Sequence, residues 1–300
     1  MTRHFLTLTD LRPGEIAQIL DRAIELKAML SRGETIEPMR NGALAMIFEK
    51  SSTRTRVSFE VAAIQFGGNA IFIAPGDSQM GRGEPIADTA RVLSSMTRAI
   101  VMRTHSHERI AELARYSEVP VINGLSDLFH PCQLLADLLT WVEKRGSIEG
   151  ATVAWVGDGN NMCHSWANAS KLLDFRLNIA TPNGYEPNAG IIAGNDGCIN
   201  LTNDPAQAVR DADLVVTDTW ASMGQEDEKQ DRLAAFAGYT VDNALMELAD
   251  DKALFMHCLP AYRGYEVSAD VLEGARSVVW EQAENRLHAQ KALLEFLLQG

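Results

Sequence analysis

Short apolar runs alternating with amphipathic stretches restrict the fold of this chain more than any other feature of its sequence. The runs lie at Ala43–Phe48, 70–74, 99–102 and 119–122, with helical patterns between them. A second set lies at 151–156, 177–181, Leu214–Thr217, 254–258 and 278–280. A first helix is placed after Pro13, with Ile16, Ile19, Leu20, Ala23, Ile24 and Leu30 near one face. Residues 131–144 read as a long helix ended by Arg145 and Gly146. The expected class is α/β: two doubly wound parallel-sheet domains with an active-site cleft between them. The turn-rich segment Gly146-Ser147-Ile148-Glu149-Gly150 marks the boundary, giving domains 1–146 and 147–284. The last stretch, 281–298, is helical by pattern, and 285–300 is expected to pack back on the first domain. A length of 300 residues suits two such domains better than one small core.

The net charge of −13 disfavours a large nucleic-acid or anionic-membrane surface, so neither partner is expected. A small cationic pocket remains compatible with it, because a site's field depends on local charges. Cys132, Cys163, Cys198 and Cys258 form no CxxC pair and no metal-like cluster with histidine, which reads as free thiols in a reducing cytoplasm. The first ten residues hold no signal-peptide run, and no window approaches the ~18 apolar residues of a membrane helix. A cytoplasmic protein is the expectation.

The most informative stretch is Phe48-Glu49-Lys50-Ser51-Ser52-Thr53-Arg54-Thr55-Arg56. It follows an apolar run and precedes a helical pattern with Val57, Val61 and Ile64, closed by Gly67-Gly68. At a strand-to-helix turn the first helical N–H groups lack partners and the helix dipole favours an anion. Ser52, Thr53 and Thr55 add hydroxyl donors, and Arg54 adds a planar fork for two phosphate oxygens. One hydroxyl suffices for a helix cap. Three, together with Lys50, Arg54 and Arg56, point instead to a visiting phosphate, with Arg56 the member that helix geometry turns away. No GxxxxGK[ST] occurs, which disfavours nucleotide hydrolysis.

Further groups stand at run ends. Arg103 closes the run at 99–102. His130-Pro131-Cys132-Gln133 opens the long helix, with Pro131 suited to its first turn and His130 at the end. Neutral imidazole and the Gln133 amide are good donors to a carbonyl oxygen; a lone histidine is otherwise more often structural. Val156-Gly157-Asp158-Gly159-Asn160-Asn161-Met162 invites a dinucleotide reading, but Met162 occupies the third glycine position of GxGxxG. Asp218, in Asp218-Thr219-Trp220-Ala221-Ser222-Met223-Gly224, is a strand-end carboxylate suited to an ammonium, or else a cap. His257-Cys258-Leu259-Pro260 closes another run, and a buried cysteine there is ordinarily inert packing.

The run Ser-Thr-Arg-Thr-Arg after a strand, with HPCQ, the DTWASMG segment and HCLP in order after it, resembles the aspartate/ornithine carbamoyltransferase family. The resemblance runs from Lys50 to Arg286. It implies that carbamoyl phosphate is held by Ser52, Thr53, Arg54, Thr55, Arg103, His130, Gln133, Cys258, Leu259 and Arg286, with Gln79 supplied by a neighbouring subunit. It further implies that Asn161, Asp218, Ser222 and Met223 hold ornithine, Asp218 taking the α-amino group, and that Cys258 and the Leu259 backbone lie beside the δ-amine. Arg54, Arg103, His130, Gln133, Asp218 and Cys258 are then the catalytic set. No cationic residue stands in the DTWASMG motif to meet a second carboxylate, which favours ornithine over aspartate. N-acylornithine and putrescine are the related amines, and a dehydrogenase or a phosphate or amino-acid sensor are the alternatives of other kinds. The expected chemistry uses no metal and no cofactor, and the expected assembly is a homotrimer or a multiple of trimers.

Overall fold

A computed structural model describes residues 2–76, 80, 83–193, 197–220 and 229–299. The chain divides into two units, Met1–Leu139 with Glu284–Gly300, and Thr140–Ala283. In chain order the first unit holds α1 (Pro13–Ser31), β1 (Ala43–Phe48), α2 (Thr53–Gln65), β2 (Asn69–Ile73), α3 (Ile86–Ser94), β3 (Ala99–Arg103), α4 (His107–Tyr116) and β4 (Val121–Leu125). Helix α5 (Pro131–Arg145) follows. The second unit continues with β5 (Thr152–Val156), α6 (Asn161–Leu173), β6 (Arg176–Ala180), α7 (Ala189–Ile192), β7 (Ile199–Thr202), α8 (Pro205–Val209) and β8 (Leu214–Thr217). Then come α9 (Lys229–Ala235), α10 (Asn243–Met246), β9 (Leu254–His257), α11 (Ala269–Leu272) and α12 (Val279–Gln299), whose residues from Glu284 onward belong to the first unit.

Both sheets are parallel throughout, in the orders β2-β1-β3-β4 and β7-β6-β5-β8-β9. A parallel sheet covered on both faces needs strands apolar on both faces, and β1, β3, β5, β8 and β9 are nearly continuous buried runs. Their side chains form separate cores, around Ile47, Ile100, Met102 and Leu113 in the first unit and Val156, Val215, Phe236 and Phe255 in the second. Each strand order reverses once, at β1/β3 and at β5/β8. Reversal splays the two adjoining crossovers to opposite faces and opens a crevice at the carboxyl ends of those strands.

One expectation is corrected. The run at 278–280 is not a strand: Val278 N donates to Phe255 O at 3.0 Å, and helix α12 begins at Val279. Three apolar residues are too few to hold a ladder against the long helical pattern behind them. The helical pattern with Val57, Val61 and Ile64 is α2, on which Val57 is 51% and Ile64 64% exposed and Val61 half-buried. The helix instead buries Thr55, Ser58, Phe59, Ala62 and Ala63. Leu30 on α1 is likewise exposed. Among the described residues no helix is long and apolar enough to cross a membrane.

Candidate active site

The anion turn lies at the carboxyl end of β1. Ser52 caps α2, its hydroxyl accepting from Thr55 N at 3.2 Å, and the remaining first-turn amides have no intrahelical acceptor. Thr53 is exposed, Arg54 half-buried and Thr55 buried. Arg103, 8% exposed, pairs in register with Phe48 across the β1/β3 crevice, and its carbonyl accepts from Glu49 N at 2.7 Å. Glu49 bonds Thr104 and Arg109 in turn. Arg56 turns away as expected, with its guanidinium 3.8 Å from the Phe72 ring centroid and its Nε on Glu60. Lys50 pairs with Asp127.

His130 stands one residue before α5, its carbonyl accepting from Gln133 N at 3.2 Å and Leu134 N at 3.3 Å. Burial first, then the positive charges of Arg286, Arg103 and Arg54, holds this imidazole well below the usual histidine value. The ring is therefore neutral near pH 7, with one N–H to donate. Cys132 beside it is structural: it donates to Asn123 O, and burial pushes its thiol up to about 12.

Arg286, on α12, is placed by its partners. It is 2% exposed, with Nη1 donating to Gln133 Oε1 at 2.5 Å and Nη2 to Thr55 Oγ1 at 2.9 Å. Gln133 also donates through Nε2 to Asp137 Oδ1 at 2.8 Å. One of its two amide hydrogens is thus committed, and the other remains for a carbonyl oxygen. Gln79 lies outside the described residues.

In the second unit the functional groups gather at the β5/β8 crevice and at the end of β9. Gly159 has no room for a side chain, since a Cβ there would meet Pro187 N at 2.2 Å. In a dinucleotide fold such a glycine admits pyrophosphate; here the chain at 186–187 fills that space. Asn160 caps α6 by accepting from Met162 N and Cys163 N, and its Nδ2 donates to Asp218 Oδ2 at 2.9 Å. Asp218, 9% exposed, also accepts from Thr219 N at 2.8 Å and from Cys258 Sγ at 3.0 Å, both on Oδ1. Asn161, half-buried, is the first residue of α6. Ser222 and Met223 lie outside the described residues.

Leu259 follows Cys258 with φ 57°, a left-handed conformation that branched side chains seldom adopt. Its N–H donates to His257 Nδ1 at 2.9 Å, which leaves the ring proton on Nε2, 3.0 Å from Glu266 Oε1. Glu266 also accepts from Tyr262 N, and His257 N donates to Gln282 Oε1. The strained turn is thereby held from four directions. Asp218, His257 and Cys258 bring one possible ligand atom each within 4.8 Å of one another. Both imidazole nitrogens already have partners, so a cation there would have to break one of those bonds.

Three supporting residues escaped the sequence reading. Asn160 carried a legible signal, an asparagine directly before a helix. Glu266 carried none. Nor did Arg232, which donates through Nη1 to Asp158 Oδ2 at 2.9 Å and to Trp220 O at 2.7 Å, tying the turn after β5 to the end of β8.

Residues 3–143 match the aspartate/ornithine carbamoyltransferase carbamoyl-P binding domain, and residues 149–297 match the Asp/Orn binding domain. The chain is 62% identical over 296 residues to the ornithine carbamoyltransferase of Methylococcus capsulatus, covering 99% of this chain and 98% of that one. It is 56% identical to ornithine carbamoyltransferase 1, anabolic, of Pseudomonas savastanoi pv. phaseolicola, covering 99% and 97%. Among solved structures, the ornithine carbamoyltransferase of Pyrococcus furiosus superposes with a TM-score of 0.95 at 48% identity, covering 100% of this chain and 98% of that one.

Proposed function

We infer, from the site above and from the fact that this chain belongs to the aspartate/ornithine carbamoyltransferase family, that it transfers the carbamoyl group of carbamoyl phosphate to the δ-amine of L-ornithine, giving L-citrulline and phosphate in arginine biosynthesis. One observation carries the reading: Arg286 reaches both Thr55 in the first turn of α2, directly after the Ser52 cap and Arg54, and Gln133 in the first turn of α5, directly after His130, whose imidazole burial and the charges of Arg286, Arg103 and Arg54 hold neutral. That is a site for a dianion bearing a carbonyl.

The phosphate sits on the α2 amides with Ser52, Thr53 and Arg54, while Thr55 anchors Arg286. Arg103, the neutral His130 and the remaining Gln133 N–H point donors at the carbonyl oxygen, which gains negative charge as the amine adds. Asp218, oriented by Asn160, holds the α-amino group, with Asn161, Ser222 and Met223 beside it. Cys258 and the Leu259 backbone line the position of the δ-amine. The N–C bond forms, the C–O bond to phosphorus breaks, phosphate leaves with the electron pair, and the amine proton passes to it or to solvent. The nucleophile belongs to the substrate, so the protein's contribution is positioning and electrostatics.

A homo-oligomer, with Gln79 crossing to a neighbouring copy, is part of this reading. The exposed apolar residues Val57 and Ile64 on α2 and Ile71 on the edge strand β2 support it, as surface that a second copy would cover. The four cysteines, none of them in a disulfide, suit a cytoplasmic enzyme.

Citrulline formation, assayed with ornithine, N-acetylornithine, putrescine and aspartate in parallel, tests the assignment. Ornithine should turn over far faster than the rest. Arg54→Ala should lower kcat/KM for carbamoyl phosphate by at least ~100-fold, from two lost charge-assisted bonds of about 1.5–3 kcal/mol each. Wild-type-like turnover in that variant, or preference for another amine, would overturn the assignment.

A further inference from the structure

We propose that Gln290, on the C-terminal helix, is a positioning residue for the phosphate-binding arginines, holding the Arg286 guanidinium directly and the Arg54 main chain through Ser58. The inference rests on the reading of the anion site given above.

Gln290 is fully buried. Its amide has one orientation in which both ends find partners. In it the oxygen accepts from Arg286 Nε at 3.3 Å and Nη2 at 3.1 Å, and the nitrogen donates to Ser58 Oγ at 2.5 Å. Ser58 passes its own hydrogen to Arg54 O at 2.7 Å. With Gln133 on Nη1 and Thr55 on Nη2, the guanidinium plane is gripped on both edges. Ser58, Thr55, Gln133 and Arg286 are each at most 7% exposed, so no solvent replaces a lost partner.

Docking of α12 does not require this amide. Lys291 Nζ donates to Gln65 Oε1 at 2.8 Å and lies over the Phe66 ring, and Arg22 grips Glu295 with two bonds at 2.6 and 2.9 Å. Ala289, Ala292 and Leu293 around Gln290 are buried apolar residues. A polar group kept among them is matched to Arg286 and Ser58 rather than to packing. An arginine aimed before the ligand arrives needs no reorganisation when the charge appears, which is the form of electrostatic assistance worth most.

The test compares Gln290→Met, which keeps the volume and deletes both bonds, with Lys291→Met, which removes a neighbouring contact of the same helix. Inorganic phosphate binding by calorimetry and steady-state kinetics are read on both. Gln290→Met should weaken phosphate about tenfold and raise KM for carbamoyl phosphate similarly, with KM for ornithine unchanged, the scale of one neutral hydrogen bond. Lys291→Met should keep wild-type phosphate affinity. Equal affinity in Gln290→Met and wild type, or equal weakening in both variants, overturns the proposal. If Gln290→Met does not fold, Gln290→Asn, which retracts the same amide, is read by the same criteria. Phosphate binding without citrulline formation in the wild type would sink the transferase reading while leaving this comparison valid.

Discussion

Cys258 Sγ lies 3.0 Å from Asp218 Oδ1, so a thiol from the turn after β9 holds one oxygen of the carboxylate whose other oxygen Asn160 holds. Three strand ends thereby share one acidic group. Asp218 is stiffened in place before any ammonium reaches it, and its loss of rotamer freedom is paid during folding.

Substituting Cys258 by alanine should raise KM for ornithine roughly five- to tenfold, the scale of one weak bond to a charged group, and leave phosphate inhibition unchanged. Ornithine should also slow alkylation of Cys258 by iodoacetamide while Cys198, the other half-buried thiol, reacts at its unliganded rate. Peptide mapping after timed alkylation reads both. An unaltered KM together with no protection would remove Cys258 from the amine site.

His130 bears on pH. Its folded value is lowered by burial and by Arg286, Arg103 and Arg54, so the folded state resists a proton that the unfolded chain takes up near 6.5. Stability from this group is therefore complete above about pH 6.5 and declines as pH falls toward the folded value. His4 and His107, also lowered by burial, act in the same direction. Urea midpoints should fall between pH 7.5 and 5, and His130→Asn should flatten part of that slope. In kinetics, His130 should contribute no ionisation near pH 6.5 to kcat. A slope untouched by the substitution would contradict the neutral, buried imidazole.

Gly159→Ala should lower unfolding stability by at least ~2 kcal/mol, since the new methyl would fall 2.2 Å from Pro187 N and 2.5 Å from Glu186 C. Both contacts are main chain, so neither neighbour can swing aside. Because Asn160 adjoins this glycine, KM for ornithine should rise in the same variant. Denaturant titration and kinetics at low temperature separate the two effects, and wild-type stability would show that 186–187 yields freely.

The alternation of runs and the strand-turn-helix around Ser52 were readable because they depend on neighbours in the chain. Apolar periodicity reports an element, and a cap acts within three residues. The pattern failed where an element's surroundings decide: the run at 278–280 was absorbed by α12, while α2 formed as its pattern implied yet leaves Val57 and Ile64 exposed. Periodicity says that a helix has an apolar face, without saying which neighbour that face meets.

By itself, then, the sequence determined an α/β chain with a phosphate-binding turn after β1, and it marked Arg103, His130, Asp218 and Cys258 as groups at the ends of runs. Tertiary structure alone decided that β3 lies beside β1 and β8 beside β5, since strand order follows from how each crossover packs rather than from any local signal. Packing of α12 against α2 puts Arg286 on Thr55 across 231 positions, and the pairing of β9 with β8 brings Cys258 to Asp218 across 40. Local backbone preference specifies each element, but burial of charge in a shared dry interior specifies the partners, and that interior exists only once the sheets have formed.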